Sequence, residues 1–184
     1  MKLRVDANKV LRERLAVSMG LDKYQLIMDW VQKTNIAADA DFQRTFNGFY
    51  LVRRNEAWRK VYYDLFEQVK RGTPTFAEIL MHLYEYTGNI EPSFSSKMLA
   101  TICPDKPIWD KYVLQNLGLE LLGDSKQEKL ENAVHLYTYM LEWYEKFMAT
   151  EEAGEWLAAF DAALPEYTWL SSVKKIDCIL WSIR

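Results

Sequence analysis

The chain of 184 residues has only two cysteines, two histidines, five prolines and seven glycines. Cys103 and Cys178 lie far apart with no metal-ligand spacing, and two thiols are too few for a four-cysteine iron–sulfur cluster. They read as reduced thiols. His82 and His135 stand singly, without a Cys or His partner at ligand spacing, and read as structural. No segment offers the roughly 18 uninterrupted apolar residues of a membrane span. The N-terminus, Met1-Lys2-Leu3-Arg4-Val5-Asp6, turns charged without an apolar core of signal-peptide length. The expectation is a soluble, cytoplasmic protein with no metal and no cofactor. Basic residues are also few: 23 Lys and Arg against 26 Asp and Glu give a net charge of −3. That balance argues against a surface that grips nucleic acid everywhere and leaves room only for a local basic strip.

Apolar and aromatic residues are plentiful, at 49% and 14%. That is enough for one well-buried core, with rings to spare for packing or for stacking on a flat ligand. Helical spacing of the apolar residues runs through nearly every segment, and no stretch sustains the alternation of a strand, so the chain is expected to be all-α. Asp6 reads as the cap of a helix ending near Gly20, and Asp22 opens a second. A break over 37–41 precedes a helix to about Val52, and Arg53-Arg54-Asn55 separates it from the next, which Lys70-Arg71-Gly72-Thr73-Pro74 stops. Thr75 caps a helix ended by Gly88. Two short helices follow, Phe94 to about Ile102 and Lys111 to Leu117. The longest spans Gln127 to about Met148, another carries Trp156 and Phe160, and the last begins after Ser171. The helix order divides into a central lobe over 41–119 and a second lobe from 1–40 with 120–184.

Two segments carry the functional information. Glu91-Pro92-Ser93-Phe94-Ser95-Ser96-Lys97 reads as a tight turn with a lysine at the start of a helix. Thirteen residues after Lys97 comes Asp110, within Pro107-Ile108-Trp109-Asp110-Lys111-Tyr112-Val113, at the start of the next helix. In order and character the two motifs resemble the core of the helix-hairpin-helix DNA glycosylase superfamily, which includes endonuclease III and 8-oxoguanine glycosylase. That pattern has a proline, two glycines and a lysine, then an aspartate between apolar positions. Ser93 and Ser95 stand at the glycine positions, and Tyr112 stands where the family has a histidine. The resemblance covers roughly Asp41 to Leu119. It implies an all-α fold of two helical lobes, a hairpin at 90–97, an active site in the cleft between the lobes, and duplex DNA as partner.

Cleaving a base from its sugar builds positive charge on the sugar, which a nearby carboxylate stabilises; the resemblance assigns that role to Asp110. An amine of lowered pKa attacks the anomeric carbon in enzymes that form a Schiff base, and Lys97 is the candidate. The hairpin serines Ser93, Ser95 and Ser96 are then expected to meet a DNA phosphate. Base flipping leaves a gap for a side chain to fill, and Arg53, Arg54 and Asn55 occupy about the family's gap-filling position. Trp109 and Trp181 are candidate walls of a base pocket. Each residue also has an ordinary reading: Asp110 and Asn55 as helix caps, Lys97 as a solvated lysine, the tryptophans as core. Arg59, Lys60, Lys70 and Arg71 form a candidate basic strip or, equally, a solvated face paired with Asp64 and Glu67, and Lys174-Lys175 a second basic cluster with Asp177 as acidic neighbour. The function expected from these residues is base-excision repair by a glycosylase, a hydrolase with lyase chemistry if Lys97 acts. The alternative is a non-catalytic helical module that binds DNA or protein.

Overall fold

The computed structural model describes Ala7, Val10, Leu11 and residues 20–183. The cap expected at Asp6, and most of the helix assigned to it, lie outside the described residues. Among the described residues every regular element is helical: α1 (Leu21–Trp30), α2 (Ala40–Tyr50), α3 (Glu56–Val69), α4 (Phe76–Thr87), α5 (Pro92–Ile102), α6 (Lys111–Leu117), α7 (Lys126–Met148), α8 (Glu151–Ala163), a 3₁₀ turn (Pro165–Tyr167) and α9 (Ser172–Ser182).

Short polar side chains set most of the starts. The Asn55 carboxamide accepts from Trp58 N at 2.9 Å, and Thr75 and Glu78 form a reciprocal capping box. Asp39 accepts from the backbone of Asp41 and Phe42, so α2 begins at Ala40. Gly88, at φ 68°, closes α4 in the left-handed region that glycine enters without strain. The largest departure from expectation is α5. Proline lacks an N–H and presets a helical φ, so it suits the first helical turn; Pro92 occupies that place and α5 starts two residues before Phe94. Ser93, Ser95 and Ser96 therefore lie inside a helix rather than in a turn. Among the described residues Leu51 is the one non-glycine with positive φ, so none of the three serines adopts a glycine-like conformation.

The contacts divide the chain into two compact units, Gly20–Cys103 and the residues before and after it. Within the first unit α1 packs on α2, and within the second α6 packs on α9. In the unit over 20–103 the core is aromatic: Phe42, Phe46, Tyr62, Tyr63 and Phe66 are all buried. Phe46 lies 4.6 Å from the Tyr50 ring and 5.6 Å from the Phe66 ring, centroid to centroid. Such pairs contribute roughly 0.5–1.5 kcal/mol each beyond area burial, so much of the aromatic content is spent on packing. In the other unit α9 is the central element. Ile176, Ile179 and Leu180 are fully enclosed, and so, nearly, are Lys174, Lys175, Asp177 and Cys178.

Among the described residues no helix is long and apolar enough to cross a membrane.

Candidate active site

Lys97 sits one turn into α5 and is half-buried. Its Nζ donates to the carbonyl of Tyr50 at 3.3 Å, one of the last carbonyls of α2, where the helix end favours a cation. The same nitrogen lies 5.0 Å from the centre of the Phe94 ring and 5.8 Å from that of Tyr50. Phe94 also takes the Arg54 guanidinium, at 5.5 Å. One aromatic ring thus serves a cation from α5 and a cation from the loop between α2 and α3.

Arg54 is held by Glu91, the residue that opens α5. Its Nη2 is hydrogen-bonded to Oε2 at 2.8 Å and lies 2.7 Å from Oε1. Glu91 is buried, whereas the Arg54 side chain remains 42% exposed. Beneath them Trp58 stacks on Tyr62 at 5.0 Å and packs on Phe94 at 4.9 Å. The Tyr62 hydroxyl donates to the Phe94 carbonyl at 3.0 Å, and burial pushes its pKa far above the usual phenol value. The indole N–H of Trp58 is buried without a hydrogen-bond acceptor among the described residues.

The serines lie differently from expectation. Ser95 and Ser96 are fully buried, and their hydroxyls donate to the carbonyls of Glu91 and Ser93, each at 2.9 Å. Hydroxyls returned to the backbone of their own helix are unavailable to a phosphate at the surface. Ser93 is half-buried. In the loop, Asn55 is occupied as the cap of α3, Arg54 is tied to Glu91, and Arg53 is exposed.

The expected basic strip is reduced as well. Lys70 is 2% exposed, and its Nζ meets Glu67 at 2.8 Å, while Lys60 pairs with Asp64. The second cluster is not a surface cluster: Lys174 and Lys175 are buried, and Lys175 pairs with Asp161 at 2.6 Å. A lysine with its stem among apolar groups and its amine on a carboxylate is indistinguishable in sequence from a solvated one.

Asp110 belongs to the other unit. It is half-buried and caps α6, with Oδ1 accepting from Tyr112 N at 2.8 Å. The residues leading to it are enclosed: Ile108 and Trp109 are both buried. Trp181 is half-buried, edge-on to Tyr112 at 6.5 Å. Arg54, Phe94 and Lys97 are brought together in one unit, and Asp110, Trp109 and Trp181 lie in the other. Sequence reasoning missed Glu91, Phe94 and Trp58 as the setting of Lys97. It also missed Asp177, a buried acid on α9 that accepts a hydrogen bond from Ile108 N at 3.2 Å. Its only signal is an acid three residues after Lys174 on a helix whose apolar positions Ile176, Ile179 and Leu180 face inward. Among the described residues no group of three or more His, Cys, Asp or Glu converges as a metal site.

Compared with protein-family models, curated proteins and solved structures, the chain matches none of them.

Proposed function

We propose that the protein is a helix-hairpin-helix DNA glycosylase-like enzyme of base excision, acting on duplex DNA through Lys97 and Asp110. The observation that carries the reading is the placement of Lys97, half-buried one turn into α5 with its amine fixed beside the Tyr50 carbonyl and the Phe94 ring. These contacts favour the ammonium, so the amine must leave them and lose its proton before it attacks. The pair α4 and α5, joined by four residues of which the first is the left-handed Gly88, is in keeping with a helical hairpin.

In this reading the lone pair of the Lys97 amine forms a bond to the anomeric carbon as the glycosidic bond breaks. The bonding electrons leave with the base, which takes up a proton, and opening of the sugar ring leaves a Schiff base. The Asp110 carboxylate stabilises the positive charge that grows on the sugar during cleavage. Its Oδ1 is fixed by Tyr112 N–H, so its direction is set before substrate arrives.

A second reading is a helical DNA-binding or protein-binding module without catalysis; the burial of Ser95 and Ser96 and the Arg54–Glu91 pair favour its protein-binding form. Each withdraws a polar group from DNA.

Borohydride trapping separates the two. Wild type, Lys97→Ala and Asp110→Asn are incubated with duplexes carrying single lesions, then reduced. A covalent adduct that Lys97→Ala abolishes and Asp110→Asn weakens is expected. Neither adduct nor base release across a broad lesion panel would leave the binding module.

A further inference from the structure

We propose that Asp177, on α9, is a positioning residue for Asp110, acting through the backbone of Ile108; this rests on the catalytic reading of Asp110.

The chain between α5 and α6 is irregular, so its backbone groups need partners outside a helical ladder. Side chains supply them. The Ser171 hydroxyl donates to the Pro104 carbonyl at 2.6 Å, and the buried Tyr137 hydroxyl donates to the Pro107 carbonyl at 2.9 Å. Ile108 N–H donates to Asp177 Oδ2 at 3.2 Å. The other oxygen, Oδ1, accepts from the Tyr144 hydroxyl, so each carboxylate oxygen has a set donor and the acid is aimed from both sides. Beyond Asp110 the tie is repeated: Asn116 Nδ2 on α6 donates to the carbonyls of Leu180 and Ile183 at 2.8 and 3.0 Å. Asp110 therefore stands between two attachments to the end of the chain, one two residues before it and one six residues after it.

Burying a carboxylate is unfavourable, and a well-packed apolar residue commonly serves stability as well or better. Asp177 is 5% exposed. What an apolar residue lacks is an acceptor that fixes the Ile108 peptide, and with it the direction in which Asp110 leaves the core. Catalytic groups lose rate steeply when displaced by even an ångström.

The test compares Asp177→Asn, Asp177→Ala and Tyr144→Phe. A carboxamide keeps the geometry, its oxygen accepting from Ile108 N–H and its NH₂ donating to the Tyr144 oxygen. The first readout is hydrogen exchange at the amides of Ile108 and Tyr112, the latter reporting the Asp110 carboxylate directly. The second is single-turnover base release and duplex affinity, with oligonucleotides carrying uracil, 8-oxoguanine or an alkylated base. Asp177→Ala should speed both amides and slow base release by about 10- to 100-fold while duplex affinity stays within about threefold. Asp177→Asn should restore both. If Asp177→Ala does not fold, Tyr144→Phe replaces it, with a smaller change of the same pattern. Unchanged exchange at Tyr112 in a folded Ala or Phe variant overturns the proposal, as does an Asn variant as damaged as the Ala variant. If wild type releases no base from any duplex, the glycosylase reading fails, and the exchange experiment still decides whether Asp177 holds the Asp110 segment.

Discussion

Arg54 reaches from the loop after α2 to the buried carboxylate of Glu91, with one guanidinium nitrogen 2.7 Å from Oε1 and 2.8 Å from Oε2. The half-exposed arginine is the companion that lets a buried acid stand at the head of α5. Arg54→Ala leaves that acid uncompensated and is expected to cost about 1–3 kcal/mol, the range for a buried polar group that loses its partner. Adding Glu91→Gln should recover part of the loss. Urea midpoints of the two single variants and the double variant give the coupling; strict additivity would show that the pair contributes nothing.

Leu51 is exposed and has φ 54° at the end of α2. A side chain in the left-handed region costs about 1–2 kcal/mol, and here little burial offsets it. Leu51→Gly is therefore expected to raise stability by about 0.5 kcal/mol, net of the greater entropy of glycine in the unfolded chain. Thermal melting checks the sign. A clear loss would mean that the leucine makes contacts in solution that its exposure does not suggest.

Burial raises the pKa of Asp177 to about 7 from an ordinary 3.8, against the opposing pull of Lys174 and the bonds from Tyr144 and Ile108. Below 3.8 the group is protonated in both folded and unfolded chains. Between there and about 7 only the folded chain keeps the proton, so stability falls as pH rises through that window. The stability of wild type relative to Asp177→Asn should decline from pH 4 to pH 7, by up to about 1.4 kcal/mol per pH unit, and level off above. Denaturant melts of both proteins across that range measure it; a difference that is flat with pH contradicts the raised pKa.

Ser171 has two tasks: its Oγ accepts from Lys174 N at 3.1 Å and donates to the Pro104 carbonyl at 2.6 Å. Ser171→Ala removes a cap and a tie together and should cost about 1–2 kcal/mol. Ser171→Asp keeps an acceptor for the cap but has no proton for Pro104. It should recover about half of the loss, as denaturation midpoints would register.

What could be read from the sequence was mostly local. The caps at Asn55, Thr75 and Asp110, the helix start after Ser171 and the stop at Gly88 are written in single residues and their immediate neighbours, and each stands where expected. The start of α5 is not legible in the sequence, because Pro92 looks the same whether it ends a turn or begins a helix. Burial was the harder quantity. Lys70, Lys174 and Lys175 carry charge but lie inside; the amine of Lys70 meets Glu67 one turn away, and that of Lys175 meets Asp161 on α8. The surroundings of Lys97 and the link from Asp177 to Ile108 join residues 47 and 69 positions apart. Spacing along one helix contains no trace of such pairings.

Cys178 lies beside Asp177, enclosed in α9, and burial lifts its thiol to about 11. Thiolate rather than thiol reacts with alkylating reagents, so this sulfur is silent while the helix stays packed. Cys103, half-buried, belongs to the other unit. The chain thus carries its own chemical clock: the slow labelling of one sulfur counts how often the last helix opens to solvent.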